Sequence, residues 1–145
     1  MLKYIPHIAL LALVTCSTSY AQEEAAVKDV IIKAYLEGAH MNSDAEAMRD
    51  GFHPNFIMFV NRDDKVSQVP IADWAGRVEA SKKNNPDRPK PNIEYDFPMV
   101  SIAENTAVAR IEVKRDGNHI FTDFMSLYKI QGEWRIIGKV FQSYR

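Results

Sequence analysis

Chemistry by side chains alone needs ionisable groups brought together at suitable spacing, and this sequence offers few such sets. Beyond the first 21 residues its histidines are His40, His53 and His119. His40 follows a helical stretch, His53 precedes a proline and His119 stands in a turn, so each reads as solvated. Zinc spacing is missing: there is no His-x-His and no His-Glu-x-x-His, and the lone cysteine is Cys16. No glycine-rich phosphate loop and no Gly-x-Ser-x-Gly elbow occurs, which removes nucleotide-binding and serine-hydrolase readings. Asp96 and Asp123 remain as candidate general bases, both on β-rich stretches where strand register decides the facing. Lys82 to Lys90 is a basic run that suits an anionic partner or, since Asp87 interrupts it, a solvated loop. No metal and no cofactor is expected.

The elements that must position these groups are legible from periodicity. Val27, Val30, Ile31, Ala34 and Gly38 form one stripe of a first helix, Glu23 to Ala39. Ser43 with Glu46 reads as a capping box for a short second helix that stops at Gly51, making a helical hairpin. His53-Pro54 breaks the chain before a β-rich run, Asn55 to Val60, and a return strand, Val66 to Val69. Pro70 opens a third helix whose apolar positions are Ile71, Trp74, Ala75 and Val78. Asn84 to Pro91 is a proline-rich loop. Asn92 to Ile102 resumes strand character, and Pro98 places that strand at an edge or in a bulge. Thr106 to Phe141 then reads as three antiparallel strands, turning at Asp116-Gly117 and at Gln131-Gly132-Glu133. Helices early and strands late make the class α+β.

With Asp116-Gly117 as a two-residue turn, Arg115 opposes Asn118 and Val113 opposes Ile120. Phe124 then faces the interior, while Arg110 and Asp123 meet on the outer face. They form either a surface pair or a pair shielded at a subunit interface, because Val108, Phe121, Met125 and Leu127 make that face greasy. A shift of one residue would exchange the faces.

Trp74 within Val69-Pro70-Ile71-Ala72-Asp73-Trp74-Ala75 is one part of a wider pattern. Others are the strand Thr122-Asp123-Phe124-Met125-Ser126-Leu127-Tyr128-Lys129, the run Gly132 to Phe141, and His53-Pro54-Asn55-Phe56. Together they resemble the putative lumazine-binding family of the nuclear transport factor 2-like superfamily, over about Glu24 to Phe141. The resemblance implies a strongly curved antiparallel or mixed sheet wrapped round three helices, with an apolar pocket at the open end of a cone. It implies a small-molecule-binding or accessory protein. The alternative is a cofactor-free isomerase or lyase of ketosteroid-isomerase or dehydratase type, acting on an apolar ring substrate. In that alternative Tyr35 resembles the helix tyrosine used as a neutral donor, with Asp96 or Asp123 as base; otherwise Tyr35 is a core aromatic. Tyr35, Met58, Trp74, Tyr95, Phe124 and Tyr128 are the candidate lining for a small apolar or aromatic molecule, unless they fill the core.

The chain has 145 residues, 46% of them hydrophobic, with 18 basic against 19 acidic side chains. That supports one domain, and the charge balance gives no sign of nucleic-acid binding. Lys3, the apolar run Ile8 to Val14 and the small-x-small Ser19-Tyr20-Ala21 read as a secretory leader cleaved after Ala21, too short for a transmembrane span. The domain is then 22–145, secreted or periplasmic. Leu13-Val14-Thr15-Cys16 also loosely matches a lipoprotein signal that would make Cys16 the lipidated first residue. A homodimer through the outer sheet face is the expected assembly.

Overall fold

The computed structural model describes residues 11–144, with side chains from Ser19 onward. Residues 1–10 of the expected leader over 1–21 therefore lie outside the described residues, as does the Cys16 side chain.

Helix α1, Leu11–Ile31, runs directly into a π-helical segment, Ile32–Asn42, and α2 follows at Ala45–Gly51. The strands and last helix are β1 (Phe52–Arg62), β2 (Lys65–Pro70), α3 (Ile71–Asn84), β3 (Ile93–Ala103), β4 (Thr106–Arg115), β5 (Asn118–Ile130) and β6 (Glu133–Ser143). They form a curved, unclosed sheet in the order β2-β1-β6-β5-β4-β3. β1 and β6 pair in parallel; the other neighbours are antiparallel. The helices cover the inner face, and the core between the layers holds Ile31, Leu36, Met48, Phe52, Phe56, Ile111, Met125, Leu127 and Ile136. This is the α+β class expected from the sequence, with the same succession of elements.

Local chemistry explains most boundaries. Asp116 and Gly117 both take positive φ (51° and 78°), as do Gln131 and Gly132 (52° and 83°), the pairing that a two-residue hairpin turn demands. Pro98 falls in a register shift of β3, which is also an edge strand. Two expectations move. The cap of α2 is Asp44, whose carboxylate accepts from the Glu46 and Ala47 amides, because Ser43 is used in a left-handed conformation to end the π-helical segment. The stripe read as one α-helix changes pitch at Ile32, and the wider turn buries Ala34, Tyr35 and Leu36 in succession.

The β4–β5 register needs a correction. Arg115 does oppose Asn118, but a bulge follows, and Val113 pairs with Phe121 rather than with Ile120. The extra residue in β5 reverses the facing of everything beyond it. Ile111 therefore pairs with Asp123, and Arg110 with Phe124. Asp123, Met125 and Leu127 point into the core, and Arg110 is not the partner of Asp123. Arg110 instead donates to Glu112 on its own strand, Nε to Oε1 at 2.8 Å.

Candidate functional site

The bulge in β5 has a chemical result: it carries a carboxylate into the interior. Asp123 is fully buried, and its nearest groups come from two other elements. Tyr35, from the π-helical segment, donates its hydroxyl to Asp123 Oδ2 at 2.5 Å. Lys139, from β6, places Nζ 2.8 Å from Asp123 Oδ1 and donates to the Tyr35 hydroxyl at 2.7 Å. Lys139 faces inward because β6 carries its own irregularity, between Ile136 and Gly138, which resets its alternation. All three side chains are buried.

Aromatic rings enclose the ammonium. Nζ stands 4.2 Å from the Tyr35 ring centre, 4.9 Å from Phe141, 5.5 Å from Phe121 and 5.6 Å from Trp74. Ring faces attract a cation at such distances and exclude water. Burial pushes the Lys139 pKa below its ordinary value, against the opposing pull of the Asp123 carboxylate. The trio thus holds a hydroxyl donor, an amine and a carboxylate in mutual contact within an apolar shell. That set can hydrogen-bond a carbonyl or ring heteroatom, or shuttle a proton.

The residues singled out from sequence divide by position. Tyr35, Asp123 and Trp74 come together here, and Met58 lies beside Lys139 in the β1–β6 register. Tyr95 opposes Val113 at the open side of the sheet and is 40% exposed. Asp96 is exposed, opposite Glu112. Phe124 and Tyr128 stand on the outer face, 41% and 47% exposed. Sequence reasoning missed Lys139 and Phe141, and it placed Phe121 on the outer face, whereas the bulge in β5 turns it towards Lys139. A lysine inside the apolar run Trp134 to Phe141 was the available signal.

His40 stands between this interior and a cavity. Its ring stands edge-on to Tyr35, with centres 4.7 Å apart, and 5.9 Å from Phe121. It also lines a cavity of about 430 Å³ between the end of the π-helical segment, the end of α3 and the loop before β3. A larger groove of about 650 Å³ lies elsewhere, between the helical hairpin and the start of β6. Its lining holds the ion pairs Lys33–Asp29 and Arg135–Glu133 and the further acids Glu37, Asp44 and Asp50, and none of the buried trio.

A second polar cluster lies on the outer face. Glu112 accepts from Thr122 at 2.6 Å and meets Arg110 and His119. Burial works to raise the Glu112 pKa, but the Thr122 hydroxyl and the Arg110 and His119 charges outweigh it and hold it below the usual range. At the other end of the sheet Glu23 binds Lys129 and the Trp134 indole, 2.6 Å and 2.8 Å, fastening α1 to the β5–β6 hairpin. No group of three or more potential metal ligands occurs among the described residues.

Comparison with known proteins agrees with the fold. The family described as putative lumazine-binding matches residues 22–142. A crystal structure of an NTF2-like protein of unknown function from Shewanella baltica OS155 is 28% identical, with a TM-score of 0.71 over 87% of this chain and 97% of that one. An NTF-2 like protein of unknown function from Silicibacter pomeroyi DSS-3 is 16% identical, with a TM-score of 0.69 over 86% and 98% of the two chains, a likeness of fold. The protein named aldolase FrzH, from Cladobotryum sp., is 25% identical over 111 residues, 76% of this chain and 83% of that one.

Proposed function

The chain belongs to the putative lumazine-binding family, and from that premise we propose a binding protein for a small apolar or aromatic molecule, seated in the hollow of the sheet above the Lys139–Asp123–Tyr35 trio. One observation carries this reading: buried polar groups ringed by aromatic side chains, with the His40 ring between them and a cavity of about 430 Å³. The domain is taken as 22–145, exported after cleavage at Ala21 and paired as a homodimer through the outer sheet face. No helix among the described residues is long and apolar enough to cross a membrane. The test is mass spectrometry of whatever is released when the purified protein is denatured. A retained aromatic molecule that rebinds the protein, and rebinds Trp74→Ala much more weakly, supports the reading. A ligand indifferent to Trp74 and Tyr35 sinks it.

A second reading is favoured by the trio itself and by the aldolase name of one relative. In it the protein is a cofactor-free lyase or isomerase acting on an apolar ring substrate, in which Tyr35 and Lys139 donate to a carbonyl oxygen and Asp123 takes the neighbouring proton. Such a reaction exchanges that proton with solvent. Deuterium uptake from heavy water beside the carbonyl of a cyclic ketone, abolished by Asp123→Asn and by Tyr35→Phe, supports it. Uptake no faster than in buffer over a panel of such ketones removes it.

A further inference from the structure

The basic stretch from Lys82 to Lys90 looked like an ordinary solvated loop in the sequence, but folding gathers it at a particular place. Lys82, Arg88 and Lys90 all line the 430 Å³ cavity, and β4 adds Arg115 from the far side. The carboxylate among the lining residues is Asp44, and its Oδ1 is engaged by the Glu46 and Ala47 amides at 3.1 Å each. Asp87 and Asp116, the acids that interrupt this region in sequence, are not among the residues that line it. The lining therefore carries four basic residues, Arg115 among them with a partner of its own, and one carboxylate that is already engaged.

Lys82 sits in the last turn of α3, where its charge also complements the helix end. Arg88, Lys90 and Arg115 come from loop and strand, so that account does not extend to them. Lys90 donates to the neutral amide oxygen of Asn42 at 2.7 Å, which fixes the side chain without cancelling its charge. The prolines at 86, 89 and 91 stiffen the loop that carries Arg88 and Lys90, so little order has to be gained on binding. The inner wall is His40, which stands between the cavity and Tyr35.

We propose that this cavity binds the acidic group of a small organic anion, a carboxylate or a phosphate ester, whose ring or chain points past His40 towards the interior trio. This rests on the ligand-binding reading above and adds the charge of the ligand to it. Arg88, Lys90 and Arg115 hold the anionic oxygens; His40 and the aromatic shell receive the rest. The field of these basic residues also raises the local concentration of anions at the mouth.

The test is an NMR titration of the whole protein with benzoate, phenyl phosphate, inorganic phosphate and, as the neutral counterpart, benzamide. Benzoate or phenyl phosphate shifts amides around His40, Lys90 and Arg115, with affinity falling as salt is added. Whichever of the two binds more tightly says which acid the site prefers. Arg88→Gln/Lys90→Gln, confined to the loop, weakens that binding by roughly fivefold or more, and Arg115→Gln does the same from the strand side. Lys65→Gln, on the β1–β2 turn, leaves it unchanged. Benzamide binding as tightly as benzoate overturns the anionic ligand and leaves the ligand-binding reading standing. Shifts by inorganic phosphate that are equal in wild type and both variants overturn it too, as does silence of these amides to all the anions.

Discussion

Lys139 lies in surroundings that would favour leucine, and its neighbours show why the fold tolerates it. Asp123 pairs with its ammonium, the Tyr35 hydroxyl accepts from it, and four rings surround its charge. Buried pairs of this kind are worth little against a well-packed apolar pair, yet halving one strands a charge without water. Lys139→Met should therefore cost about 3–5 kcal/mol in urea unfolding, whereas Lys139→Met/Asp123→Leu should recover most of that loss. A single variant as stable as wild type would contradict the pairing. Burial also fixes a pH dependence. The folded pKa of Lys139 lies below its ordinary 10.5, so between those two values the unfolded chain holds the extra proton. Stability must rise with pH through that interval and level off above it. Melting temperatures of wild type, referred to those of the double variant, should climb as pH approaches 10.5; a fall there would show that the amine is not held as described.

Element by element, periodicity located every helix and strand but did not locate the irregularities that make the site. The Asp116-Gly117 turn was legible because both positions need positive φ, and so was Pro98 as a disruption of β3. The bulge after Val113 was not, since a doublet such as Ile120-Phe121 looks the same whether the strand is regular or carries one residue more. That hidden residue decides whether Asp123 is a surface charge or a core one. The change of pitch at Ile32 was equally silent, because Val27, Val30, Ile31 and Ala34 satisfy an α-helical stripe up to the point where it stops mattering. Gly51 was readable as a helix end, but its second duty appears only in three dimensions. A Cβ there would lie 2.3 Å from that of Ala34 and 3.2 Å from Val30 Cγ2, so the absence of a side chain sets how closely α2 approaches the first helix. Gly51→Ala should lose about 1–3 kcal/mol by overpacking, measurable as a lower urea midpoint with an unchanged slope. A neutral result would mean that the hairpin yields easily, and with it the placement of Tyr35.

Across the whole molecule, the outer face of the sheet remains apolar after the register is corrected, though with a different membership. Met99, Val108, Phe124, Tyr128 and Val140 are each at least 38% exposed, and Met99, Phe124 and Val140 fall in one row with Arg110 across four strands. A lysine at the middle of such a row is poorly accommodated against a second copy. If the proposed homodimer forms through this face, wild type should elute as a dimer and Phe124→Lys as a monomer with circular dichroism unchanged, and a monomeric wild type removes the dimer. Equal elution as dimers would move the contact elsewhere. The order of strands has one more implication. The last of the described strands, β6, lies in the middle of the sheet, flanked by β5 and by β1, the first strand in the chain order. Without β6, β1 and β2 have nothing to zip onto, and the polypeptide keeps an open seam along its centre. A chain ending before Trp134 should not be a shortened version of this protein but a protease-sensitive coil, because it loses a central strand and not an edge.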